Sequence, residues 1–81
     1  MRKLYAKNQD FQSVIRVNQI YLTRYPDASA SAELQYQIGI LYFVQNQVEE
    51  ALSAFKKMVE NYPDDELANM AKAYIRSIEK Q

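Results

Sequence analysis

Apolar side chains recur along this 81-residue chain at helical spacing. Leu34, Ile38, Leu41 and Tyr42 fall three or four positions apart, as do Ala51, Leu52, Phe55, Met58 and Val59. A short polar turn, Gln-Asn-Gln-Val-Glu-Glu (residues 45–50), separates the two runs. An earlier run, Phe11 to Arg24, is apolar over much of its circumference through Phe11, Val14, Ile15, Val17, Ile20, Tyr21 and Leu22. A last run carries Ala68, Ala71, Ile75 and Ile78. Two tripeptides punctuate the pattern, Tyr25-Pro26-Asp27 and Tyr62-Pro63-Asp64. The residue before a proline is pushed out of the α region, so one helix stops near each tripeptide. The proline blocks read-through, and the Tyr ring is expected to pack back across the turn. Asp64, Asp65 and Glu66 can then cap the free N–H groups of the next helix, and Asp27 is assigned the same role. The pattern predicts helices near 1–7, 10–24, 29–45, 47–61 and 65–80.

The tripeptides stand 37 positions apart, and the same offset aligns much more. Leu4-Tyr5 falls on Leu41-Tyr42, Phe11 on Val48, Val14-Ile15 on Ala51-Leu52, Tyr21-Leu22 on Met58-Val59 and Ile38 on Ile75. Asn18 against Phe55 is a mismatch. A period of this size marks a repeat architecture whose unit is one supersecondary element, here a pair of helices.

These residues resemble a tetratricopeptide repeat. Gly39, Tyr42, Ala51, Phe55 and Pro63 fill the family's Gly, aromatic, Ala, aromatic and Pro places over residues 32–65, and Gln35 stands where the pattern carries Trp. The resemblance implies an all-α, antiparallel helix-pair solenoid of about two repeats plus a C-terminal capping helix. Residues 1–26 would be a partial first repeat, 27–63 a full one and 64–81 the cap. The Tyr-Pro-Asp ending is similar to that of bacterial cell-envelope repeat proteins of the Tol-Pal-associated and outer-membrane assembly lipoprotein types. That likeness suggests the periplasm or envelope and leaves the cytoplasm open.

The offset also separates the two ends. It predicts Gly, Tyr and Phe at positions 76, 79 and 80, which are Arg76, Glu79 and Lys80. The last helix keeps its inner apolar face and charges its outer one, as a solvating cap requires. At the other end, a two-turn stub over 1–7 cannot cover the Phe11–Arg24 helix. About 300 Å² of exposed apolar surface would forgo roughly 7 kcal/mol. The expectation is that the chain is a fragment of a longer array, or self-associates through its N-terminal helices.

Composition narrows the chemistry. Ten basic and ten acidic residues cancel, so no net field favours nucleic acid. Lys72, Arg76 and Lys80 form one basic stripe that reads as a solvated end face. No apolar run approaches the ~20 residues of a membrane span. His and Cys are absent, which removes the ordinary general base and the usual nucleophile pairs. No cofactor or metal site is expected, and the chain reads as a non-enzyme.

Binding is the remaining class. The family resemblance places the first helix of each unit along a concave groove. It would set Glu33, Tyr36, Ile40 and Phe43 on the groove wall, Met70 and Ala73 on the last helix, and Lys3 and Lys7 near one end. Tyr36, Ile40 and Phe43 form a stripe distinct from the inward one. Either neighbouring first helices around Ala73 and Tyr74 cover it, or a partner does. A fitting partner is a short helix or extended segment with apolar anchors and an acidic flank. The alternative reading is a structural, self-associating segment of a longer array with no separate ligand.

Overall fold

The computed structural model describes the backbone of residues 2–80 and the side chains of residues 11–80. Four helices follow one another: α1 (Arg2–Arg24), α2 (Ser31–Val44), α3 (Val48–Asn61) and α4 (Glu66–Glu79). No strand occurs among the described residues. The expected break between residues 7 and 10 is absent, and α1 runs unbroken for 23 residues. Nothing in Lys7-Asn8-Gln9-Asp10 supplies the Pro or Gly that would stop a helix. The first element is therefore one long helix rather than a stub folded against a second helix.

α2 is the central element, in contact with α1, α3 and α4. It is apolar nearly all the way round, and a helix of that kind is stable only when neighbours cover it. One side, with Ile38, Leu41 and Tyr42, meets Ile15 and Leu22 of α1 and Ala54 of α3. A second side carries Ala32 and Gly39 toward α3, and a third carries Tyr36, Ile40 and Phe43 toward the main core. That core joins Ala51, Phe55 and Met58 of α3 to Ala68, Ala71 and Ile78 of α4. Gly39 lets the Phe55 ring come close to the α2 backbone. A Cβ there would stand 2.6 Å from a ring carbon of Phe55, so the missing side chain is the space the ring occupies.

The connections explain the helix ends. α2 stops at a left-handed residue, Asn46, with φ 66°. The N–H of Asn46 donates to Phe43 O and that of Gln47 to Tyr42 O, which satisfies the last carbonyls in a Schellman arrangement. At α4 the cap is Asp65, whose carboxylate accepts from the Leu67 N–H at 2.9 Å. Asp27 does not repeat this. α2 begins only at Ser31, its N-cap is Ala30, and no side chain caps it. The reason is in the register: the position equivalent to Asp65 is Ala28. The Ser31 hydroxyl instead donates to the Tyr25 carbonyl and ties the start of α2 to the end of α1.

The two tripeptides are joined directly. The Tyr62 hydroxyl donates to the Pro26 carbonyl at 2.8 Å, and the ring packs against the core. Tyr25 behaves differently from its expected packing. It is half exposed, and its ring leans on Tyr21 with centroids 5.1 Å apart. Tyr62 has the preceding tripeptide to meet, whereas the Tyr25 ring leans back on its own helix. The charged outer face of α4 is as expected. Lys72, Arg76, Glu79 and Lys80 are exposed, and Glu79 reaches Lys56 at 3.4 Å in a solvated pair of small energetic weight.

Candidate partner-binding face

Tyr36, Ile40 and Phe43 are partly buried against the core, so the stripe has a helical neighbour. That neighbour is Tyr74 of α4. Its ring stacks on Phe55, with centroids 4.8 Å apart and planes 9° apart. It meets Phe43 edge-on at 5.3 Å and Tyr36 edge-on at 6.2 Å. Tyr36 also tilts against Phe55 at 5.9 Å. Four rings thus lock α2, α3 and α4 together, each pair adding about 0.5–1.5 kcal/mol beyond its buried area. Partial burial, and then the adjacent Tyr74 phenol, push the Tyr36 hydroxyl above its ordinary pKa.

The covering is incomplete. Met70 is 52% exposed, and Ala73 is exposed beside Tyr74 in α4. Glu33 is exposed one turn before Tyr36 in α2. Tyr36, Ile40 and Phe43 pack with Tyr74 on one core cluster, and Glu33 of α2 and Met70 and Ala73 of α4 are exposed on the same two helices. Lys3 and Lys7 lie outside the residues whose side chains are described.

A second feature had no counterpart in the sequence reading. A cleft of about 560 Å³ opens between α1 and α3, away from the aromatic face. Its floor is Gln35, Ile38 and Tyr42 of α2, with Gln19 and Thr23 on one wall and Glu50, Ser53 and Lys57 on the other. Among the described residues α1 and α3 each pack on α2 and share no close backbone contact, which leaves the gap. Gln35 is buried, and its Nε2 donates to the Ala54 carbonyl at 2.9 Å. That bond accounts for a polar residue at the place where the repeat pattern carries Trp. Asn18, the mismatch to Phe55, is likewise buried, and its Nδ2 donates to Gln37 Oε1 at 3.0 Å. The signal for both was a polar residue at a predicted core position.

Among the described residues no group of acidic side chains is placed to hold a metal ion. No helix there is long and apolar enough to cross a membrane. No curated protein and no solved structure matches the chain. Residues 33–65 match a family model described as tetratricopeptide repeat. The matched span runs from the first turn of α2 through α3 to the cap of α4. Together with the all-helical packing it supports the tetratricopeptide-repeat family, whose repeats generally mediate protein–protein interactions and are typically non-enzymatic.

Proposed function

We propose that this chain is a non-enzymatic module that binds a short helix or extended segment of a protein partner across the face shared by α2 and α4. The observation that carries the reading is the incompletely covered aromatic cluster. Tyr74 takes up one side of Tyr36 and Phe43, while Met70 and Ala73 stand exposed beside it. Clustered aromatics with an exposed Met are the composition that interfaces favour. The ligand would place two or three apolar anchors over Ile40, Phe43 and Met70, spaced as on one helical face. An acidic flank on the ligand rests on Lys3 and Lys7 and so on sequence alone. Envelope assembly as the setting rests on the Tyr-Pro-Asp likeness alone.

Tyr36 and Phe43 are poor test positions, because truncating them also removes ring contacts of the core. Met70→Glu and Ala73→Glu change only exposed positions. A helical peptide selected for binding to the wild-type chain should lose at least tenfold in affinity to each variant. Glu50→Lys, in the wall of the α1–α3 cleft, should leave that affinity unchanged. Equal binding by both α4 variants would remove this face, and loss with Glu50→Lys alone would move the site to the cleft.

A further inference from the structure

The cleft between α1 and α3 sets amides and unpaired charges over an apolar floor. Ile38 and Ala54 close its bottom and are buried. Gln35 lies among them, 7% exposed, with its Nε2 engaged on the Ala54 carbonyl. No described residue donates to its Oε1, and that oxygen is not sealed within the core, so it is an acceptor open to the cleft. The α3 wall carries Glu50, Lys57 and Glu60, which are exposed and in ion pair with no described residue. The α1 wall is uncharged and presents Gln19 and Thr23.

We propose that this cleft binds an extended segment of a protein with basic, acidic and basic residues at alternate positions. A strand turns its side chains alternately to two sides and its backbone N–H and C=O groups to its edges. Laid along the cleft, it brings one backbone edge onto the floor, where a ligand N–H donates to Gln35 Oε1. A helix bonds its own N–H groups internally and offers that oxygen nothing. Alternate side chains of the strand meet α3. Glu50 and Glu60 stand about 15 Å apart along the helix axis at 1.5 Å per residue, with Lys57 between them. Four steps of extended chain cover about 13 Å. The first and fifth residues of the segment therefore reach the two glutamates, and the third meets Lys57, whose flexible stem absorbs the unequal spacing. The second and fourth face Gln19 and Thr23, which suit small polar groups. Charges of this kind decide which segment binds more than how tightly. The site is separate from the α2–α4 face and leaves it open.

The test is a titration of the full, isotopically labelled chain at low salt with acetyl-Lys-Thr-Asp-Thr-Lys-amide, followed by amide chemical shifts. Saturable shifts are expected at Gln19, Ser53, Lys57 and the Gln35 side-chain amide, with Met70 and Ala73 unmoved and a dissociation constant on the order of 1 mM or below. The charge-reversed peptide acetyl-Asp-Thr-Lys-Thr-Asp-amide should bind at least about fivefold more weakly. The three wall charges are exposed, so exchanging them should leave far-ultraviolet circular dichroism unchanged. Glu50→Lys, Lys57→Glu and Glu60→Lys together should invert the preference between the two peptides. No saturable shift up to about 10 mM peptide would overturn the proposal. Equal affinity for the two peptides would also overturn it, as would an exchanged chain that keeps the wild-type preference. Shifts centred on Met70 and Ala73 would overturn it as well, and would leave the α2–α4 reading standing.

Discussion

Replacing Gly39 by Ala tests the close packing of α2 on Phe55. A Cβ at this position would stand 2.6, 2.7 and 2.9 Å from three ring carbons of Phe55. Carbon atoms pack best about 3.5–4.0 Å apart, so the ring would have to retreat by about 1 Å. It has little freedom to do so. Phe55 is fully buried and stacked on Tyr74, with Tyr36 at its edge. Overpacking of this kind costs about 1–3 kcal/mol. Ala in place of Gly within a helix returns about 0.8–1.0 kcal/mol, and Gly39 has an ordinary helical φ that Ala can adopt. The expected net effect is a loss of up to about 2 kcal/mol in urea unfolding followed by circular dichroism at 222 nm. The control is a double-mutant cycle with Phe55→Leu. With the ring gone, Gly39→Ala should become neutral or stabilising, a coupling of at least about 1 kcal/mol. Stabilisation by Gly39→Ala in the wild-type background would refute the reasoning, since propensity alone would then decide the outcome.

Three further perturbations read single features. Asp65→Ala should cost about 0.5–2 kcal/mol through loss of the cap on Leu67 N–H, and Asp64→Ala should fall within about 0.5 kcal/mol of wild type, as unfolding curves will show. At Asn46, where φ is positive, Ala should cost about 1 kcal/mol and Gly should be tolerated; equal thermal midpoints for the two would contradict the left-handed cap. The raised Tyr36 pKa means that the folded state holds this proton more tightly than the unfolded chain. Its contribution to stability is therefore complete below the ordinary phenol range and is lost as pH rises through and above it. Absorbance titration at 295 nm of wild type and Tyr36→Phe should show a late-titrating component that the substitution removes.

The sequence made most of the architecture legible, for reasons tied to particular residues. Tyr-Pro-Asp located the ends of α1 and α3 because proline restricts the residue before it. The alternating runs located α2, α3 and α4 to within about two residues. Gly39 was legible as the repeat pattern's Gly, while the structure shows that the Phe55 ring takes the space of its missing Cβ. The repeat offset implies a break in the first element, but no residue from Lys7 to Asp10 provides one and the helix runs on. Asp27 was misread because the offset carries its neighbour, Ala28, onto the true capping position. The partial cover of the aromatic stripe was open in the sequence, since it depends on where α4 sets Tyr74. The α1–α3 cleft was not legible at all. It arises from two helices packing side by side on a third with no close backbone contact among the described residues, and no spacing within one helix encodes that distance.

The central claim is that partner recognition takes place on the face shared by α2 and α4. Amide chemical-shift mapping tests it most directly, with a selected helical peptide titrated into isotopically labelled protein. The account predicts the largest perturbations at Glu33, Ile40, Phe43, Met70, Ala73 and Tyr74, with the cleft residues Gln19, Ser53 and Lys57 unmoved. Perturbations centred on the cleft, or confined to the outer face of α1, would contradict it.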